Sequence, residues 1–245
     1  MKLYRAYILA TILPLLRTPS YWVPLVIFPT LLYSFFGLSA SQDDPKLANI
    51  LMASWSVFAV IGIGFFQFGV SIAQAREARW EEYARTLPVG GFPRIVAQIV
   101  AAALFLAIAL ALLWSLAAFA SAVDLSIAQY LKLLGVLLIG IVPFVLMGAA
   151  LGYSVPARGA VPIANLLFLP LSYLGGLWLP PQMLPSLVAL ISPYTPTRQL
   201  GELAWASVLG TFPPASSIFG LVIFSIISAA VTLFMWRRDE TKRTS

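Results

Sequence analysis

The sequence contains no cysteine and no histidine. The first absence removes disulfides, thiol nucleophiles and thiolate metal sites. The second removes imidazole proton relays and His-ligated metals. Paired carboxylates, the remaining route to intramembrane acid–base chemistry, are missing from the apolar segments as well, so an enzymatic reading lacks catalytic groups. No G-x-x-x-x-G-K-[ST] run occurs, and Gly90-Gly91 reads as a turn rather than a phosphate loop. Charge is scarce: Asp, Glu, Lys and Arg make up 10% of the 245 residues, against roughly 25% in a soluble domain.

What is present is apolar. Hydrophobic residues account for 60% of the chain, and the mean hydropathy is +0.92. Six apolar segments, 21–38, 49–73, 95–119, 131–153, 161–177 and 218–236, each approach the about 20 residues that a spanning helix needs. The expectation is an all-α polytopic membrane protein, one transmembrane domain over 1–245. Before the first segment, 2–17 carries Lys2, Arg5 and Arg17 around Tyr4, Ile8, Ile12 and Leu15, the pattern of an interfacial helix. Ser39-Ala40-Ser41 could pass for a cleavage site, but the run before it is long enough to span and is read as a retained helix. Gly148 to Gly152 forms a small-xxx-small face for helix contact.

The charges that exist are sorted by side. With both termini together, twelve of the 15 Lys and Arg share their side: Lys2, Arg5, Arg17, Arg76, Arg79, Arg85, Arg94, Arg158, Arg237, Arg238, Lys242 and Arg243. Only Lys46, Lys132 and Arg198 fall opposite. The positive-inside rule makes the crowded side cytoplasmic, and the net charge of +6 follows from this bias rather than from a nucleic-acid face. No charge lies deep in a segment, which weighs against a proton- or ion-coupled carrier.

Two stretches stand apart. The first is a polar island, REARWEEYARTLPVGGFPR, from Arg76 to Arg94. Trp80, Tyr83, Ala84 and Leu87 share one helical face, and Glu81 can pair with Arg85 at i, i+4. Pro88 and the two glycines stop the helix. Periodicity leaves two readings open, a helix that lies in a partner's groove or a solvated turn capping two spans. The second stretch is 171–200. Its apolar piece 183–191 is too short to cross, and Pro180, Pro181, Pro185, Pro193 and Pro196 surround it. It reads as a re-entrant segment over 178–196 on the outer side.

Ser172, Gly175, Gly176, Trp178, Leu179, Pro180, Leu184, Pro185, Pro193, Tyr194 and Thr195 follow the order small turn, aromatic, Leu-Pro, Leu-Pro, Pro-aromatic-Thr. In this the chain resembles the ABC-2-type transporter permeases, whose charged loop Arg76, Glu77, Glu82, Thr86 and Pro88 also match. Arg79 and Ala84 depart from it, where the family often has Gly and Leu. The resemblance runs over essentially the whole chain in segment order. It implies the membrane subunit of an ATP-binding cassette exporter in the plasma (inner) membrane, dimeric, with a homodimer expected. It implies two separate ATPase subunits that hold the ATP and magnesium. This chain itself is expected to be neither enzyme nor cofactor carrier. The resemblance further implies a coupling helix over 76–88, with Arg76, Glu77, Arg79, Trp80, Glu81, Glu82, Tyr83, Arg85 and Pro88 toward the ATPase. Gly175, Gly176, Trp178, Pro180, Leu184, Pro185, Leu187, Pro193 and Tyr194 would form the outer re-entrant gate. The pathway is expected between protomers, lined by the first, second and fifth spans.

Within the spans, Gln67, Asn165, Ser172 and Tyr173 are polar groups that could meet substrate or bond between helices. Phe65 and Phe66 could gate the second span or simply pack. The function expected is ATP-driven export of an amphipathic drug, lipid or glycan-type molecule. The alternative is a carrier or channel working alone.

Overall fold

The computed structural model describes residues 2–78 and 92–244, and among these every regular element is helical. Helix α1 (Lys2–Leu16) lies against α4 (Phe92–Ala120) and turns sharply into α2 (Pro19–Leu32), which runs on through a π-helical turn, Tyr33–Gly37. The corner is closed by polar caps. Thr18 Oγ1 donates to Pro14 O at 2.9 Å and the Trp22 indole donates to Leu16 O at 3.0 Å, satisfying carbonyls that a helix end leaves free. Trp22 therefore holds this turn.

Helix α3 (Pro45–Glu77) is the axis of the molecule. Asp44 caps its start, with Oδ1 accepting from Lys46 N at 2.9 Å and Leu47 N at 3.3 Å, and Pro45 occupies the first helical position. From Leu51 to Phe65 it is buried without interruption. It is covered by α2, α4, α5 (Ile127–Ser154, broken at Ile141 before Pro143) and α6 (Ala157–Leu174). Such continuous burial explains why its sequence is apolar on all sides.

Against α5 the contact is made by glycines. A Cβ on Gly152 would stand 2.6 Å from Gly69 O, and one on Gly64 would stand 2.7 Å from the Phe144 carbonyl carbon. Gly148 faces the Gly64 carbonyl at closer range still. The small-xxx-small face read from the sequence is thus the partner of the α3 glycines, and no β-carbon intervenes where the backbones meet. The α3 stretch at this contact, Gly64–Val70, is π-helical.

The expected spans correspond to α2 through α6 and to α9 (Ala215–Thr244), with corrections. Among the described residues, five helices are long and apolar enough to cross a membrane: α3, α4, α5, α6 and α9. The first segment forms a shorter apolar helix, Trp22–Gly37. Pro162 and Pro170 stay inside α6 rather than breaking it. The charged tail after Trp236 continues α9 as helix. At its other end α3 extends through Arg76 and Glu77 before Ala78 turns extended, so the first two residues of the polar island belong to the helix of the second apolar segment.

The proline-rich stretch is more ordered than its sequence suggests. A 3-10 turn (Pro181–Met183) leads to a short helix α7 (Ser186–Ile191), a second 3-10 turn (Ser192–Tyr194) and then α8 (Pro196–Leu209). Regular structure therefore continues beyond 196, to Leu209. Helix α8 is driven into the bundle beside α3 and α5. Trp205 donates its indole N–H to Ser54 Oγ at 2.8 Å, and the Gln129 amide donates to Val208 O at 2.7 Å.

The cavity, the aromatic cluster and the polar knot

A cavity of about 530 Å³ lies between α2, α3 and α6. Its walls differ from end to end. Thr18, Gln74 and Asn165 supply neutral polar groups near the start of α2, the end of α3 and the middle of α6. Farther in, Phe28, Phe58, Phe66 and Phe168 line it, with Gly62 leaving room opposite Phe168. Among the described residues, no charged side chain lines it. Phe66 stands edge-on to Phe168, centroids 5.9 Å apart, and Phe58 packs on the same ring at 4.6 Å.

Beyond the phenylalanines the aromatic packing continues as a cluster of Phe36, Trp55, Phe58 and Trp178, with Trp55 and Trp178 centred 5.9 Å apart. The cluster joins α2, α3 and the turn after α6. Trp178 is held by its indole N–H, which donates to Ser172 Oγ at 2.9 Å, while that hydroxyl donates to Leu169 O. The Trp55 indole N–H is buried and meets no acceptor among the described residues, a state that is costly for a polar group.

The candidate pathway residues divide on this geometry. Phe66 and Asn165 line the cavity. Phe65 is wholly buried, and Gln67 is buried in the π turn, where its carbonyl accepts from the Gln98 amide at 3.0 Å. Ser172 is engaged by Trp178, and Tyr173, half-buried, lies outside the lining. Sequence reasoning passed over Phe28, Phe58, Phe168, Thr18 and Gln74. Facing phenylalanines on three separate helices leave no local pattern.

In the proposed outer gate, Gly176 has φ +72°, a left-handed conformation that favours glycine. Gly175 passes so near Thr197 that a Cβ would meet its Oγ1 at 2.6 Å, and Thr197 Oγ1 donates to Leu171 O at 2.7 Å. Pro180 and Pro185 stand immediately before the 3-10 turn and α7, and Pro193 sits in the second 3-10 turn. Leu184 is tucked in beside Gly176, whereas Leu187 and Tyr194 are each 76% exposed. Leu184 and Leu187 thus do not form one face. Thr195, taken for the exit of the motif, is the N-cap of α8, its Oγ1 accepting from Arg198 N at 3.2 Å.

At the other end of the bundle a polar knot gathers four helices. Arg76 Nε donates to Asp239 Oδ2 at 3.1 Å and Nη2 pairs with Oδ1; Nη1 donates to Gly152 O at 2.6 Å and to Val155 O at 3.4 Å. Glu77 Oε1 accepts from Ala157 N at 2.9 Å. The rest of the expected coupling helix, with Arg79, Trp80, Glu81, Glu82, Tyr83, Arg85 and Pro88, lies outside the described residues. Among the described residues no cluster of His, Cys, Asp or Glu could hold a metal ion.

Comparison with known proteins agrees with this architecture. A family model described as ABC-2 type transporter matches residues 2–203. A Bacillus subtilis (strain 168) protein named "Putative transport permease YvfS" is 24% identical over 219 residues, covering 88% of this chain and 89% of that protein.

Proposed function

Because this chain belongs to the ABC-2 type transporter family, we propose that it is the pathway-forming permease of an ATP-driven exporter, working as a homodimer with two copies of a separate ATPase. Its membership makes it a multi-pass, non-catalytic membrane component. Six spans then account for the chain, α2 through α6 and α9. The first of them, 14 residues of α-helix and 5 of π-helix, reaches roughly 28 Å at α-helical rise, close to the about 30 Å hydrocarbon core. Both termini and the polar knot face the cytoplasm, where segment 76–88 meets the ATPase. The segment 178–209 closes the outer end.

The observation that carries this reading is the cavity. Its walls come from the first, second and fifth spans, with a second protomer proposed to complete it. A polar mouth at the cytoplasmic end and aromatic walls farther in suit an amphipathic molecule taken up head-last toward the inner surface. The lining without charge favours a head that bonds by neutral donors and acceptors over a free ion.

The test is affinity purification from native membranes in mild detergent. A soluble protein carrying a G-x-x-x-x-G-K-[ST] loop should co-purify, and the complex should hydrolyse ATP with a rate that amphiphiles alter. Phe66→Asp, which puts a charge in the cavity, should abolish that response while the ATPase stays bound. Purification of the permease alone, with ion conductance in planar bilayers, would support a stand-alone channel and defeat the proposal.

A further inference from the structure

The dipeptide Arg76-Glu77 sits at the last turn of α3 and faces a helix–turn–helix, the end of α5 and the start of α6. The signs match. Arg76 gives its guanidinium to Gly152 O and Val155 O, carbonyls at the C-terminal end of α5, where the helix dipole is negative. Glu77 offers its carboxylate to Ala157 N at the first turn of α6, where the dipole is positive. The same guanidinium lies over the Tyr153 ring at 5.8 Å and grips the Asp239 carboxylate of α9 with two nitrogens. Asp239 is only 8% exposed. A bidentate Arg–carboxylate pair of this kind resists rotation as well as separation.

We propose that Arg76, Glu77 and Asp239 form an intraprotomer clasp that converts displacement of the segment that follows in the chain into movement of α5, α6 and α9 together. They would be positioning residues of the transport cycle, so that within segment 76–88 the contacts to the ATPase would fall to the residues beyond Ala78. The chain enters segment 79–91 two residues after Arg76-Glu77 ends α3, so the clasp stands at one of the two points where that segment joins the described helices, the other being the start of α4. The clasp ties the inner ends of these helices to α3 by polar contacts of fixed geometry, whereas apolar packing tolerates sliding. With the clasp, one rigid polar joint carries the motion to α6, a wall of the cavity. The idea rests on the reading of this chain as an ATPase-driven permease.

The natural lack of cysteine allows a direct test. Val161→Cys places one thiol on the cavity-facing turn of α6. In the complex with its co-purified ATPase, the labelling rate of this thiol should change between the nucleotide-free and ATP–vanadate states. Asp239→Ala and Glu77→Ala should each lose that change while the ATPase still co-purifies and hydrolyses ATP. Asp239→Glu and Glu77→Gln keep an acceptor oxygen and should retain it. Loss of the ATPase from the alanine variants would make these residues docking contacts and overturn the clasp; an unaltered nucleotide response would overturn it as well. Should an alanine variant fail to insert, Arg76→Lys decides. It keeps a cation at the α5 carbonyls but not the two-nitrogen grip, and an undiminished response in it refutes the clasp. If the otherwise unmodified Val161→Cys chain brings down no ATPase, the permease reading itself falls, and the clasp with it.

Discussion

Replacing Gly148 with alanine adds a single methyl group, and the structure leaves no space for it. The new Cβ would overlap the Gly64 carbonyl oxygen and come within 3.3 Å of Gly69 N. These are backbone atoms, which cannot rotate aside, so α3 and α5 must separate along the whole Gly64–Gly69 and Gly148–Gly152 contact. Overpacking of this kind costs about 1–3 kcal/mol. Alanine also favours helix by about 1 kcal/mol over glycine, so the net loss is about 0–2 kcal/mol, with the upper end reached where the helices cannot relax. Gly135→Ala is the internal control. It lies on the first half of the same α5, nothing stands within 4 Å of its added Cβ, and the helix-propensity gain of up to about 1 kcal/mol is unopposed. Thermal unfolding of the purified protein in detergent, followed by size-exclusion recovery after heating, compares the two. Gly148→Ala should melt below the unaltered chain, by several degrees at roughly 2–4 °C per kcal/mol, and Gly135→Ala at or above it. Equal melting of the two variants would refute the glycine-mediated crossing of α3 and α5.

Other outcomes follow from single contacts. Trp205→Phe removes the buried indole bond to Ser54 and should lower stability by about 1 kcal/mol, measured by the same melting assay. Gly176→Ala forces a β-carbon into a backbone with φ +72° and should cost about 1 kcal/mol, with intact expression but faster proteolysis at the segment 178–209. For topology, Cys at Thr241 should resist an impermeant thiol reagent in intact cells, while Cys at Gln42 or at the exposed Leu187 should react. The reverse pattern would invert the orientation inferred from the Lys and Arg distribution.

Length of apolar run and placement of charge are local properties, and they carried most of the architecture into view. The five long helices lie where the apolar runs lie, because a bilayer leaves a backbone no partner but itself. The glycine spacing on α5 was legible for the same reason, since i, i+4 places two small residues on one face whatever they meet. Helix α8 had readable punctuation, Thr195 as cap, Pro196 at the first position and Gly210 with φ +67° at the end. It was passed over because proline density was taken as interruption instead of as a helix start. Three features belong to the tertiary structure alone. Phenylalanines from three helices meet around one cavity, the Trp55 indole is buried without an acceptor among the described residues, and Arg76 spans to Asp239 across 163 positions of sequence. Their energies come from groups distant in the chain, and no spacing along one helix encodes which side chain of another will face it. The sequence by itself determined that this chain spans a membrane and where its long apolar helices lie. Only the packing decided that Arg76 turns inward to the ends of α5 and α9, since a charge there is tolerable only where carbonyls and a carboxylate converge to replace its water.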